Sequence, residues 1–266
     1  RAANGMISWG IAVLGPVTLA LVVHQALALA SPALAFLMNV AVLYMTMGLR
    51  QYSHYFTDIH LALRMGEIDR ARDLLAEWRE RPAQDAGPSE VARLAMEGAL
   101  IHAHRDVFAV MLCFAILPGP TGPILYRLAA QLDKLWGRRA GPEGGEFGAF
   151  ARRAFRVIDW LPQRVTAAGF AIVGDFEDAV YCWRTQADRW SESSSGILLA
   201  SGAGALGVRL GMPLSEGGGA VDRPELGTGD EADVDFMQST IGLVWRTLVL
   251  FLSIFALIGV ASWVGR

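Results

Sequence analysis

The sequence predicts an all-α, polytopic integral membrane protein, and three observations carry that prediction. Residues 2–49 contain no Asp, Glu, Lys or Arg. Ile241 to Val264 form a second apolar run whose one charge is Arg246. Across the 266-residue chain, 53% of residues are hydrophobic and the mean hydropathy is +0.35, more than ordinary soluble domains carry. The net charge of −3 offers no electrostatic case for binding nucleic acid.

A transmembrane helix needs about 20 apolar residues, so residues 2–49 are long enough for two, with Ser31-Pro32 as the break. His24, Gln25 and Asn39 are the strongly polar side chains inside this stretch, each able to bond to a neighbouring helix. The 2–30 run is too long, and lacks the flanks, for a simple signal peptide, and reads as structure. The chain opens on Arg1 rather than Met, which reads as processing or a missing upstream part. Arg246 sits one turn inside the last run, where its side chain can snorkel to the interface. Cys113 and Cys182 lie in apolar contexts and read as buried free thiols.

Residues 50–106 read as a cytoplasmic helical hairpin. Gly66 stops one helix, and Ile68, Ala71, Leu74, Leu75 and Trp78 then recur at helical spacing. "RPAQDAGPSE" (81–90) reads as a loop, with Ser89 as the cap of the next helix. Residues 107–117 are apolar but too few to cross a bilayer, and "PGPTGP" (118–123) breaks any helix. Residues 107–132 therefore read as a broken or re-entrant segment. Eight arginines in 50–106 and eight basic residues in 127–164 favour the cytoplasmic side for both blocks, which a re-entrant segment permits. Residues 133–240 read as amphipathic helices followed by an acidic, Gly-rich loop. Within them, 165–183 suggests a short or interfacial helix, and 215–235, with seven acids and one arginine, a flexible loop.

Three motifs invite chemistry. His102 and Asp106 in "IHAHRDVFAVMLCF" stand four apart, as do His54 and Asp58. Two such pairs could bind one divalent cation, although polar residues bonded at a bilayer interface explain the spacing equally. "GAGALG" (202–207) matches the dinucleotide fingerprint in letters, but lacks the strand before it and the acid about 20 residues on. Close helix packing through Gly204, Gly207 and Gly211 fits better. In "RVIDWLPQRVTA" (156–167), Pro162 suits the first position of a helix, with Asp159 or Trp160 just outside it.

This line resembles the CobD/CbiB family of integral membrane proteins, whose characterised members act as adenosylcobinamide-phosphate synthases. The resemblance runs in order through "GPTGPILYRLAAQLDKLWG", "RVIDWLPQRVTA", "SSSGILLASGAGALGVRLGMPL" and "RPELGTG". It implies an ATP-dependent carbon–nitrogen ligase that joins a corrinoid acid to an aminopropanol-type amine with Mg²⁺. It also implies a multi-pass protein of the bacterial inner membrane. Partners would be the lipid bilayer, the corrinoid substrate and other membrane subunits.

Carried over by position, the resemblance makes Asp106, Asp133 and Asp159 catalytic, with Asp106 and Asp159 as Mg²⁺ ligands. His102, His104, Arg164 and Ser195 become substrate-binding residues at the cytoplasmic face, with Arg164 on a phosphate. The chain departs from the family's pattern at several places. Its paired aspartates stand here as Phe155 and Arg156, its asparagines as Asp159 and Ala130, and its Pro-Asn as Ser194-Ser195. The family's Glu-Asn falls on Ile101-His102. The related AmpE branch, non-catalytic regulators with a similar Asp-Trp-x-Pro-x-Arg line, supplies the alternative expectation.

Overall fold

The structure, a computed structural model, describes residues 2–138, 145–191, 193–216 and 219–264. Among the described residues, three helices are long and apolar enough to cross a membrane: Gly5–Ala30, Pro88–Ile116 and Val234–Val264. The chain divides into two compact units. One contains residues 1–48 and 105–162; the other contains 49–104 and 163–266.

In the first unit, helix α1 (Ala2–Ala30) carries Pro16 inside it. A proline there forfeits one backbone bond. Thr18, nearby, donates its hydroxyl to the Leu14 and Gly15 carbonyls at 2.8 Å each, so this polar group needs nothing from outside the helix. Ser31 ends α1 by donating its N–H to Leu27, and Pro32 opens α2 (Pro32–Thr46), so the break lies where the sequence placed it. At 15 residues, α2 is shorter than the roughly 20 residues of a straight crossing.

Helix α6 (Ala109–Ile116) turns through Pro118-Gly119-Pro120 into α7 (Thr121–Leu132). Gly119 takes φ +60°, and a Cβ on it would reach the His24 ring at 2.9 Å. A Cβ on Gly122 would strike the Cys113 carbonyl, so only glycine lets α7 fold back so closely on α6. The core of this unit gathers Trp9, Val13, Val110, Tyr126, Ala129 and Phe155. The last two of these positions belong to α7 and to α8 (Gly145–Val173).

In the second unit, α3 (Leu49–Arg64), α4 (Ile68–Arg79) and α5 (Pro88–Ala103) pack on one another. Residues 50–106 thus hold the helix that Gly66 stops and the two helices on either side of the 81–90 loop. Gly66 does stop α3, at φ +76°. Ser89 is not a cap: Pro88 occupies the first helical turn and Gly87 takes the cap position. Proline's fixed φ and missing N–H set the start of the helix ahead of the serine. The backbone stays helical from Pro88 to Ile116, through a π-turn at His104–Phe108. The apolar residues after 106 therefore continue α5 rather than starting a separate short arm.

Pro162 also differs from expectation. It lies inside α8, and Asp159 is a mid-helix residue rather than a cap. Gly174 then separates α8 from α9 (Phe176–Gln186), whose cap is Asp175, accepting from Asp178 N–H at 3.1 Å. The apolar part of 165–183 belongs to α8 and the acidic part opens α9.

Helix α10 (Ser193–Leu206) packs on α9 and α5. A Cβ on Gly204 would sit 2.6 Å from the Asp178 carbonyl carbon, and one on Gly202 would sit 2.7 Å from Leu100. Helix packing thus accounts for Gly202 and Gly204, but not for the other two glycines expected to pack: Gly207, with nothing within 4 Å of an added Cβ and φ +65°, ends the helix, and Gly211 lies in a strand. The stretch 215–235 is not structureless. β1 (Val208–Gly211) pairs antiparallel with β4 (Glu225–Leu226) and parallel with β5 (Asp230–Glu231), while β2 (Leu214–Glu216) pairs with β3 (Gly219–Val221). Positive-φ glycines at 211, 227 and 229 supply the turns.

Helix α11 (Val234–Val264) buries Met237, Thr240, Leu243, Thr247 and Phe251 and leaves the rest half-buried or exposed. Trp245 and Trp263 are exposed, 18 positions apart. At about 1.5 Å per residue they stand about 27 Å apart, close to the roughly 30 Å thickness of a bilayer's hydrocarbon core. Such a helix contacts lipid.

Gly204→Ala should destabilise the protein by about 1–3 kcal/mol, seen as a lower unfolding temperature in detergent. Gly242→Ala, with nothing within 4 Å of the added Cβ, should change it little.

Candidate active site

The residues singled out in the sequence divide between the two units. Asp106, Asp133 and Asp159 lie in the first; His102, His104, Arg164 and Ser195 lie in the second.

In the first unit, Asp106 follows from the π-turn that carries α5 into α6. Its Oδ1 accepts from Arg127 Nη1 at 2.6 Å. Arg127 also donates from Nε to the Thr46 carbonyl at 2.5 Å. That carbonyl belongs to the last turn of α2, where helix geometry leaves acceptors without backbone partners. One guanidinium thus neutralises a carboxylate and caps a helix. Gly48 lies against both: a Cβ on it would be 2.9 Å from Arg127 Nη2 and 3.2 Å from Asp106 Cγ.

Asp159 is 1% exposed, and Tyr126, fully buried, donates its hydroxyl to Oδ1 at 2.8 Å. Phe155, one turn earlier on α8, packs its ring 5.6 Å from that of Tyr126, and the Arg105 guanidinium lies 5.9 Å above the Phe155 ring. Trp160, next along the chain, is exposed. Asp133 is buried and opens a second π-turn, Asp133–Arg138. A Cβ on Gly137 would fall 2.9 Å from its Oδ1 and 2.7 Å from Arg152 Cγ.

The three aspartates serve three different local structures. Among the described residues, no three His, Cys, Asp or Glu side chains gather so as to hold a metal ion. A resident Mg²⁺ in an all-protein cage does not fit Asp106 and Asp159 as they stand. A Mg²⁺ carried on nucleotide phosphates would need only one or two carboxylates.

In the second unit, His104 is fully buried and its Nδ1 lies 2.9 Å from Thr166 Oγ1, also buried. The contact joins α8 to the end of α5. Ser201, on α10, donates to the Ala167 carbonyl at 2.8 Å on the same stretch of α8. His102 stacks on Trp78 at 5.5 Å, and Trp78 stacks on Tyr55 at 6.2 Å. Arg164 is half-buried, and Ser195 is buried in the first turn of α10. Cys182 is a buried free thiol, as expected; burial raises its pKa above the ordinary value, which leaves it a poor nucleophile.

Sequence reasoning missed a polar centre in the second unit. Glu97, 6% exposed on α5, receives Arg223 Nη2 at 2.6 Å and Gly211 N–H at 2.8 Å on one oxygen. Arg223 also donates to the Gly211 carbonyl at 3.1 Å and lies 4.9 Å over the Trp190 ring. Close by, Gln186 exchanges two hydrogen bonds with Gly227. Two signals were available: an acid inside the apolar run "VARLAMEGAL", and the arginine opening "RPELGTG".

A membrane-embedded helical protein with buried carboxylate–arginine and carboxylate–tyrosine pairs is the class that this architecture defines. The CobD/CbiB protein family model matches residues 1–244, and the chain belongs to that family. A cobalamin biosynthesis protein CobD of Stutzerimonas stutzeri is 33% identical over 249 residues, covering 94% of this chain and 80% of the relative. A protein of the same name from Chromobacterium violaceum is 34% identical over 220 residues, 83% of this chain and 70% of its own. A cobalamin biosynthesis protein CbiB of Salmonella typhimurium is 26% identical, covering 96% and 79%. No solved structure is significantly similar to this chain. The AmpE reading gains no support from these relatives.

Tyr126→Phe should cost about 1–3 kcal/mol of stability, because it leaves a buried carboxylate oxygen without its donor. Arg127→Lys keeps the charge but not the fork that reaches both Asp106 and Thr46. Its unfolding temperature in detergent should fall between those of the wild type and Arg127→Ala.

Proposed function

We propose that this chain acts in cobalamin biosynthesis as an adenosylcobinamide-phosphate synthase-like ligase, forming an amide between a corrinoid carboxylic acid and an aminopropanol-type amine. The observation that carries this reading is membership of the CobD/CbiB family over residues 1–244, together with relatives named for cobalamin biosynthesis. The setting would be the bacterial inner membrane, crossed more than once, with a corrinoid approaching from the cytoplasmic side.

In such an amidation, ATP converts the acid into a better acyl donor. The amine nitrogen then displaces the activating group and loses a proton. ATP is a co-substrate here, and its phosphates bring Mg²⁺ with them. The chain supplies carboxylates and guanidinium groups. Asp106 keeps 15% of its side chain exposed beside Arg127, so it is the aspartate of this pair that a reactant can reach. Asp159 is enclosed, and its role in this reading is to hold Tyr126 and α8 in place. Phe155 and Arg156 stand where the resemblance puts paired acids. Phe155 is built into the core against Tyr126, so that half of the expected constellation has become packing. The same observation favours a second reading, a family member whose synthase site has fallen silent.

The test is a reaction with detergent-purified protein, ATP, Mg²⁺, adenosylcobyric acid and aminopropanol phosphate, read as amide product by mass. The wild type should make product. Asp106→Asn, which can still accept from Arg127, should lower turnover by roughly 100-fold or more at an unchanged unfolding temperature. No product from folded wild-type protein would leave the silent-site reading.

A further inference from the structure

Arg93 lies on α5, one helical turn before Glu97, and is 6% exposed. A guanidinium carries five N–H donors, and very little oxygen meets these. Nη1 points to the Met212 thioether at 3.3 Å, a weak acceptor. Nη2 stands 3.9 Å from the Glu90 carboxylate, beyond hydrogen-bond distance. Nε is buried with no partner. Glu97, the natural partner four residues on, is already engaged by Arg223 and by the Gly211 N–H. Buried polar groups in folded proteins are nearly always hydrogen-bonded. Such a fork lacks an acceptor.

The neighbours of Arg93 suit one. Arg223 brings a second guanidinium, whose Nε is likewise buried without a partner and whose plane rests on Trp190. The charged groups acting on Arg93 are Glu97, Glu90, Arg223 and Glu231. Three acids thus face two inner arginines, so what the fork lacks is hydrogen-bond acceptors rather than negative charge: Glu97 is taken by Arg223, and Glu90 stands at 3.9 Å. The group now on the fork is a methionine side chain, unbranched and easily rearranged. Met212 holds φ +68°, unusual for a residue with a side chain, and connects β1 to β2 while its N–H donates to the Pro224 carbonyl at 3.1 Å.

We propose that Arg93 anchors an oxyanion site for a phosphate group, closed in this structure by the Met212 side chain. Arginine's planar fork matches phosphate oxygens two at a time, and displacement of the thioether opens Nη1 to them. The phosphate belongs either to a soluble phosphorylated compound or to an anionic lipid headgroup; the recognition chemistry is the same. Binding is read without turnover, so the site stands or falls independently of the synthase reading.

The experiment uses the full chain in nanodiscs of phosphatidylcholine, titrated with inorganic phosphate against chloride at matched ionic strength. Calorimetry and the unfolding temperature are the readouts. The wild type should show saturable binding and a rise in unfolding temperature. Arg93→Met replaces a buried charge with an apolar chain of similar length, so it should stay folded yet weaken binding at least tenfold. Met212→Ala should tighten binding several-fold, a direction that mere damage to the fold does not produce. Equal phosphate responses in wild type and Arg93→Met would overturn the proposal, as would weaker binding in a folded Met212→Ala. In nanodiscs containing phosphatidylglycerol, loss of the phosphate response in wild type, with none in Arg93→Met, assigns the site to a headgroup. A retained response assigns it to a soluble phosphate.

Discussion

Hydrocarbon offers no hydrogen bonds, so every backbone group that enters it must be paired within the chain. Helix α11 obeys that constraint along 31 residues, and α1 along 29 apart from the one bond that Pro16 forfeits. Four of their side-chain hydroxyls obey it too: Thr18, Thr240, Thr247 and Ser262 donate to carbonyls within their own helix, three or four residues back. What these helices show to the outside is mostly apolar, from Leu29 at 90% exposure to Trp263 at 81%, with Gln25 and Arg246 among the exposed exceptions. Water would not tolerate that surface in so small a protein; lipid does.

The constraint also decides where charge can go. Polar side chains withdraw into the packed units and tie helix ends together. Arg127 bonds the end of α2 and the carboxylate of Asp106 at once. Glu97 fastens the segment after β1 to the middle of α5 through Arg223 and Gly211. A buried ion pair of this kind is weak evidence for stability, because desolvation offsets much of the attraction. Its better-supported effect is to fix one arrangement of the backbone, since either partner alone would be left buried and unpaired.

The spans were legible because they depend on composition over long windows. The absence of charge in 2–49 and the Ser31-Pro32 break both correspond to features of the structure. The stop at Gly66 was legible because a left-handed residue is nearly a glycine property. Ser89 and Pro162 misled for a shared reason. Each was read by local preference, and each was overruled by its neighbours. Pro88 took the first helical turn ahead of Ser89. Around Pro162, helical sequence on both sides carries α8 through, so the proline interrupts one bond instead of ending the helix. The acidic stretch after 214 misled because its order comes from distant residues. Glu97 and Gln186 bond to Arg223 and Gly227, and no local pattern announces them.

The candidate site was legible as a set of residues but not as a set of roles. Asp106, Asp133 and Asp159 are buried or half-buried acids, as functional carboxylates often are, yet burial alone does not separate chemistry from architecture. Partners do. Asp159 accepts a tyrosine hydroxyl on one oxygen inside an aromatic core, a contact that ties α7 to α8. His104 meets Thr166 in the buried contact between α5 and α8. Arg93 is the opposite case: its partners are a thioether and a distant carboxylate, and its charge is still there. A side chain whose needs are met explains only the fold, whereas one whose needs are unmet implies something that the chain alone does not supply. By that criterion the most informative residue in the protein is an arginine that no sequence motif singled out.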